Sequence, residues 1–281
     1  MNHSYQIYTA ILISLCASIA CHAQEKEQDH FSIFNPVPTV LMREMETDRP
    51  DVTESPITVD AGHFQLEADF IQWERVQTET AQTHTLLINQ MNLKIGITAN
   101  TAIQIGYQTY GIENEKELES GTEDINQGHG DLTLRIKQNL IGNSKGDFAL
   151  AILPYVRVPI LTFEDDSRLE AGLIIPMSYH LPGEWKLGFQ MELDRLKDQS
   201  QPTMHTEFLQ TLTISHPIVK GMDGIAETYY TYDFKAHQFS NFINAAIQVE
   251  IIKDFKLDAG LNYGLQHTAD KHYFVGASYR L

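Results

Sequence analysis

Cysteine is almost absent from this chain: Cys16 and Cys21, the two it has, both lie in the first apolar segment. With that segment removed, no thiol remains for a disulfide or a Cys-based zinc site. Long apolar runs are also missing, since nothing after the first segment approaches the roughly 20 residues of a membrane helix. Positive charge is scarce. Lys and Arg total 20 against 37 Asp and Glu, for a net charge of −17. A surface of that sign repels nucleic-acid phosphate, whereas an acidic vestibule favours cations or neutral solutes. Histidines are scattered, as His84, His129, His205, His237, His267 and His272 illustrate, without metal-ligand spacing. What remains is a chain of 281 residues, 42% of them hydrophobic, enough for one large sheet-built domain.

The apolar run from Ile7 to about Ala20 ends in Cys21-His22-Ala23, with small residues three and one before a cut ahead of Gln24. It reads as a secretory signal, residues 1–23, cleaved near Ala23. The run is too short to cross the hydrocarbon core as a helix. A lipoprotein cut before Cys21 is the other reading, although Ser18 stands where Leu is usual. If the mature protein enters a membrane, it does so as strands.

From about His63 onward, roughly twelve segments of alternating character follow one another, the dyad pattern of an outer-membrane barrel. In Trp185–Asp194 every second residue is large and apolar and the rest are polar or Gly, which sorts the two sets onto opposite faces of a strand. Ile243–Ile251 and Lys256–Tyr263 sort in the same way. A soluble sandwich would alternate too. The connections argue for the barrel: odd ones (Val76–Thr83, Glu113–Gln127, Phe163–Ser167, Lys197–Thr203, Lys235–Gln238, Gln266–Lys271) are long and polar, and even ones such as Lys253-Asp254 are tight. That parity predicts both chain ends on the periplasmic side. Trp73, Tyr110, Tyr155, Tyr179, Trp185, Tyr229, Tyr230 and Tyr232 near strand ends are expected in the interfacial girdles.

Between the signal and the first strand, residues 24–61 lack a sustained period and contain Pro36, Pro38, Pro50 and Pro56, so an irregular arm is expected before a barrel over 62–281. Its densest cluster is Glu46, Asp48, Arg49, Asp51 and Glu54. A calcium loop would need a Gly and a terminal Glu at other spacings. Arg49 forking onto carboxylates of the arm or the barrel wall is the structural alternative.

Glu46-Thr47-Asp48-Arg49-Pro50-Asp51-Val52-Thr53-Glu54-Ser55-Pro56, followed by Gly62-His63-Phe64-Gln65-Leu66-Glu67, resembles the start of the "meta-pathway of phenol degradation" transporter-like outer-membrane family. The ending, with Gly276, Tyr279 and Leu281, is similar to the insertion signal read by the barrel-assembly machinery, with Leu in place of the usual Phe. The resemblance implies passage of small, often aromatic or apolar, compounds across the outer membrane of a Gram-negative-type bacterium. It implies no catalytic residue and no cofactor.

Inward positions read from the alternation are Glu67, Asp69, Lys94, Asp131, Arg135, Lys137, Arg157, Lys186, Glu192, Asp194, Glu207, Glu227, Glu250, Lys256, Asp258 and Arg280. Facing opposite charges would plug a lumen, and charges segregated by sign would line a path. A rival reading is a lipid enzyme using Ser178 with His180, or Ser215 with His216, but no Gly-x-Ser-x-Gly elbow is present. A structural or surface-binding barrel is the third. The expectation is a transmembrane antiparallel barrel of about twelve strands that passes small molecules passively, with outer-membrane lipid around it and its association state open.

Overall fold

The computed structural model describes residues 31–160, 168–198, 202–266 and 270–281. The leader, the start of the arm, the whole expected loop Phe163–Ser167 (within 161–167) and parts of the expected loops Lys197–Thr203 (199–201) and Gln266–Lys271 (267–269) lie outside them. The strands are β1 (Phe64–Gln77), β2 (Ala81–Thr98), β3 (Thr101–Glu117), β4 (Glu123–Gly128), β5 (Leu132–Ile141), β6 (Phe148–Val158) and β7 (Glu170–Leu181). They continue as β8 (Trp185–Lys197), β9 (Met204–Val219), β10 (Met222–Asp233), β11 (Gln238–Ile252), β12 (Phe255–Gly264) and β13 (Lys271–Arg280).

Each strand pairs antiparallel with its neighbours, and β13 returns to pair with β1 from Gln65↔Arg280 to Arg75↔Lys271. Phe64 and Leu281 close the last rung, the Leu281 amide donating to the Phe64 carbonyl at 2.8 Å. The final residue is thus held in the wall, as lipid demands of a strand edge. Twelve strands form the closed wall. β4 extends it only above the barrel, pairing with the outer half of β3 from Gly111↔Gly128 to Lys116↔Glu123. The segment expected to be one long loop, Glu113–Gln127, is therefore largely a projecting hairpin that turns at 118–122. Its polar, charged sequence hid regular strand pairing outside the membrane.

The distribution of side chains is inverted relative to a water-soluble domain. Leu66, Phe70, Ile136, Leu193, Leu212, Ile247 and Val275 are exposed, while Gln65, Lys94, Gln104, Lys137, Gln190 and Thr211 are almost fully buried. Hydrocarbon satisfies the first set, and the interior must satisfy the second. Tyr155 and Tyr229 leave the expected girdle: they face inward, donating to Asp194 at 2.7 Å and stacking on Phe242 at 4.6 Å respectively. Alternation alone fixes this, because Tyr229 has the parity of Glu227.

Near the outer mouth the alternation changes phase. A bulge between Asp69 and Ile71 leaves both Phe70 and Ile71 exposed, and beyond it Gln72 and Glu74 take the inward positions. Asn89, with φ 54°, lies at the corresponding height on β2, and the break Gly128–Asp131 between β4 and β5 follows beside Thr109 on β3. These irregularities form a band across adjacent strands where the wall bends.

Placing a charge on the lipid side tests the inverted profile. Ile247→Arg should cost about 2–4 kcal/mol if it sits near the bilayer midplane, read as a shift in the urea midpoint of folding into vesicles.

Candidate functional site

Twelve strands enclose more volume than side chains alone can fill. Part of that volume is taken by the chain itself, since residues 43–60 form a loop inserted from the short-turn end. Both feet of the loop are clasped there. Arg43 donates to the Asp60 carboxylate through its amide at 3.1 Å and its Nε at 2.7 Å, and to the Asn143 carbonyl at 2.6 Å. Arg280 holds the same Asp60 at 3.2 Å, together with Asp254 of the β11–β12 turn and the Arg43 carbonyl at 2.7 Å.

Arg49 makes the central contact higher in the lumen. Its guanidinium bridges Asp69 on β1 and Asp258 on β12, each at 2.5 Å, and lies 5.8 Å from the Phe274 ring centroid. β13 runs between those strands, and at Gly276 any Cβ would overlap the guanidinium and the Ala68 carbonyl. That glycine, expected in an assembly signal, thus also makes room for the arm.

The rest of the arm is held by complementary groups around the wall. Lys94 and Lys137 converge on Asp48, Lys137 at 2.7 Å, while Lys94 also pairs with Glu67. Glu67 receives the Asp48 amide at 3.1 Å. Glu46 pairs with Lys186, and Glu54 pairs with Arg135 at 2.5 Å. Glu227 accepts the Val52 and Thr53 amides at 2.9 Å each and the Thr53 hydroxyl at 2.6 Å. An irregular loop leaves its peptide groups unpaired, and here wall carboxylates and amides accept from them. Burial pushes the Asp48 carboxyl up, but Lys137 and Lys94 together hold it below the usual carboxylate range.

Above the arm lies a cavity of about 1580 Å³, with Asp48–Val52 and Glu54 in its floor. Asp131, Arg157, Glu207, Lys197, Asp233 and Lys235 are among the residues of its walls. Arg157 pairs with Glu170 at 2.7 Å, Lys197 with Asp131 at 3.2 Å, and Gln190 donates to Glu192 at 2.8 Å. Glu250 and Lys256 sit opposite each other at the periplasmic rim, Glu250 exposed, away from the cavity. Tyr279 points outward, 43% exposed. Sequence reading weighed only charges and so passed over the neutral partners: Gln65, Gln190, Gln248, Asn139, Asn143 and Thr211 all bond to the arm. Inward parity was the available signal for those on strands, whereas Asn143 lies in the β5–β6 turn and had none. The Arg43–Asp60 clasp carried none, because neither residue lies in a periodic segment.

The family described as "Putative MetA-pathway of phenol degradation" matches residues 47–281. The chain belongs to this family. No curated protein matches it in sequence. Among solved structures it is similar to an outer membrane channel from Pseudomonas putida, at 12% identity and a TM-score of 0.62, over 84% of this chain and 100% of that one. It is also similar to the transport unit of the autotransporter AIDA-I from Escherichia coli, at 11% identity and a TM-score of 0.52, over 86% and 94%. At such identities the likeness establishes the outer-membrane barrel fold, which in this family member carries an arm in its lumen.

Two outcomes test the anchoring. Arg49→Gln leaves Asp69 and Asp258 facing each other unpaired and should cost about 3–5 kcal/mol in urea unfolding from micelles. Because the folded Asp48 carboxyl titrates below its unfolded value, its contribution is full above about pH 4 and is lost as the pH falls further. The wild-type urea midpoint should therefore drop on acidification more than that of Asp48→Asn.

Proposed function

We propose that this protein is a passive outer-membrane channel for small solutes, its path constricted by the arm. The observation that carries the reading is the water-accessible cavity whose floor is a loop of the same chain, held by side chains and not by strand pairing. A filled structural barrel has no need of such a cavity, and a wide pore would not contain the plug. Ten carboxylates and five Lys or Arg line the cavity, a balance that favours cations and neutral molecules over anions. Tyr229 and Phe274 add ring surface for neutral aromatic solutes of the kind the family description suggests.

The proposal includes removal of residues 1–23 and recognition of the strand containing Gly276, Tyr279 and Leu281 by the barrel-assembly machinery. It treats the protein as non-enzymatic. His216 stacks on the outer ring of Trp185 at 4.2 Å, whereas the neighbouring Ser215 alternates to the other face, so that pair cannot act together. Ser178 is buried and His180 exposed.

A tethered arm tests the gate. The Thr53 and Thr211 hydroxyls lie 2.6 Å apart, so Thr53→Cys with Thr211→Cys offers a disulfide in a mature chain that has no other thiol. In planar bilayers the oxidised form should conduct less than the reduced form, with current carried mainly by cations, and deletion of residues 24–56 should raise conductance. Equal conductance in all three removes the arm from the gate. Silence in liposome swelling supports a non-conducting barrel, and lysophospholipid release supports an enzyme.

A further inference from the structure

On a chain with a net charge of −17, one stretch of the outer wall is cationic. Across four adjacent strands, Tyr263, Lys271, Arg75 and His84 are consecutive register partners. All four have the outward parity: Tyr263 is 36% exposed, and the alternating neighbours Glu74 and His272 turn to the lumen side, 4.0 Å from each other. One register step toward the periplasm the partners are Leu261, Tyr273, Trp73 and Leu86, and below them come exposed Val275, Ile71 and Ile88. A cationic row thus sits on an aromatic row, which sits on the apolar belt. In a bilayer the aromatic row marks the interface, so the cations lie at the level of the lipid headgroups, on the long-loop side.

The row is costly as it stands. Like charges directly opposite on neighbouring strands repel, and Arg75 faces Lys271 across β1 and β13. Among the described residues neither has an ion-pair partner. Arg75 donates to Gln77 at 2.9 Å, the Lys271 ammonium lies 5.1 Å over the Tyr263 ring, and the His84 ring lies 5.5 Å from that of Trp73. These neutral contacts orient the heads without neutralising them. A phosphate monoester set between Arg75 and Lys271 would turn the repulsion into two charge-assisted bonds, while its acyl chains lie along Tyr273, Val275 and Ile71.

We propose that Arg75, Lys271 and His84 form a binding site on the barrel exterior for the phosphate of an outer-leaflet glycolipid. The site needs the long loops to face outward but does not depend on conduction. Native mass spectrometry of the full-length mature barrel in detergent, titrated with diphosphoryl lipid A, tests it. The wild type should retain the lipid, and Arg75→Gln with Lys271→Gln should bind it roughly thirtyfold more weakly, the worth of two basic groups at an anionic lipid surface. Lys271→Gln alone should weaken it roughly fivefold, should the double variant fail to show heat-modifiable gel mobility. Lys145→Gln, on an exposed periplasmic turn, should change nothing. Undiminished retention by these outer-wall variants overturns the proposal. So does equal retention of dephosphorylated lipid A, or inorganic phosphate binding as tightly as the lipid.

Discussion

Hydrocarbon offers a peptide group no hydrogen bond, and the architecture follows from that deficit. It forces the sheet to close, turns apolar side chains outward, and leaves the polar ones to be satisfied inside. The ladder runs to its last rung, where Leu281 is paired with Phe64. The interior then faces a second accounting problem, because Lys94, Lys137, Glu67, Asp258 and Arg280 are nearly as shielded as a hydrophobic core.

The arm solves that problem in the lower lumen. Asp48 sits between two lysines, Arg49 between two aspartates, and Glu54 beside an arginine, so charges of arm and wall are matched locally. Such pairing stabilises one position of the loop more than it stabilises the barrel, since desolvation offsets much of the attraction. Above the arm tip the balance shifts to carboxylate and the space remains open. Plug and vestibule are therefore two parts of one lumen, divided at Arg49–Glu54.

Much of this was legible because strand alternation is a local signal: Lys186, Glu192 and Asp194 share a parity that can be read directly from Trp185–Lys197. The arm motif was legible as a charged, Pro-rich cluster, and its Arg49 invited two carboxylates. Which two was hidden, for Asp69 and Asp258 are brought together only by closure of the ring. The phase change beyond Asp69 was hidden as well, because a bulge leaves no mark beyond two adjacent outward residues, Phe70 and Ile71. The β3–β4 hairpin escaped because, outside the bilayer, neither face needs to be apolar.

Both feet of the inserted loop are fastened at the same mouth, by Arg43 and Asp60 on one another and by Arg280 on the second. Among the described residues it is a bight and not a thread: residues 43–60 enter and leave by the same mouth, and the chain runs straight on into β1. What holds the described loop in place is thus side-chain contact alone, and none of the ladder bonds of the closed wall has to break for those contacts to be exchanged.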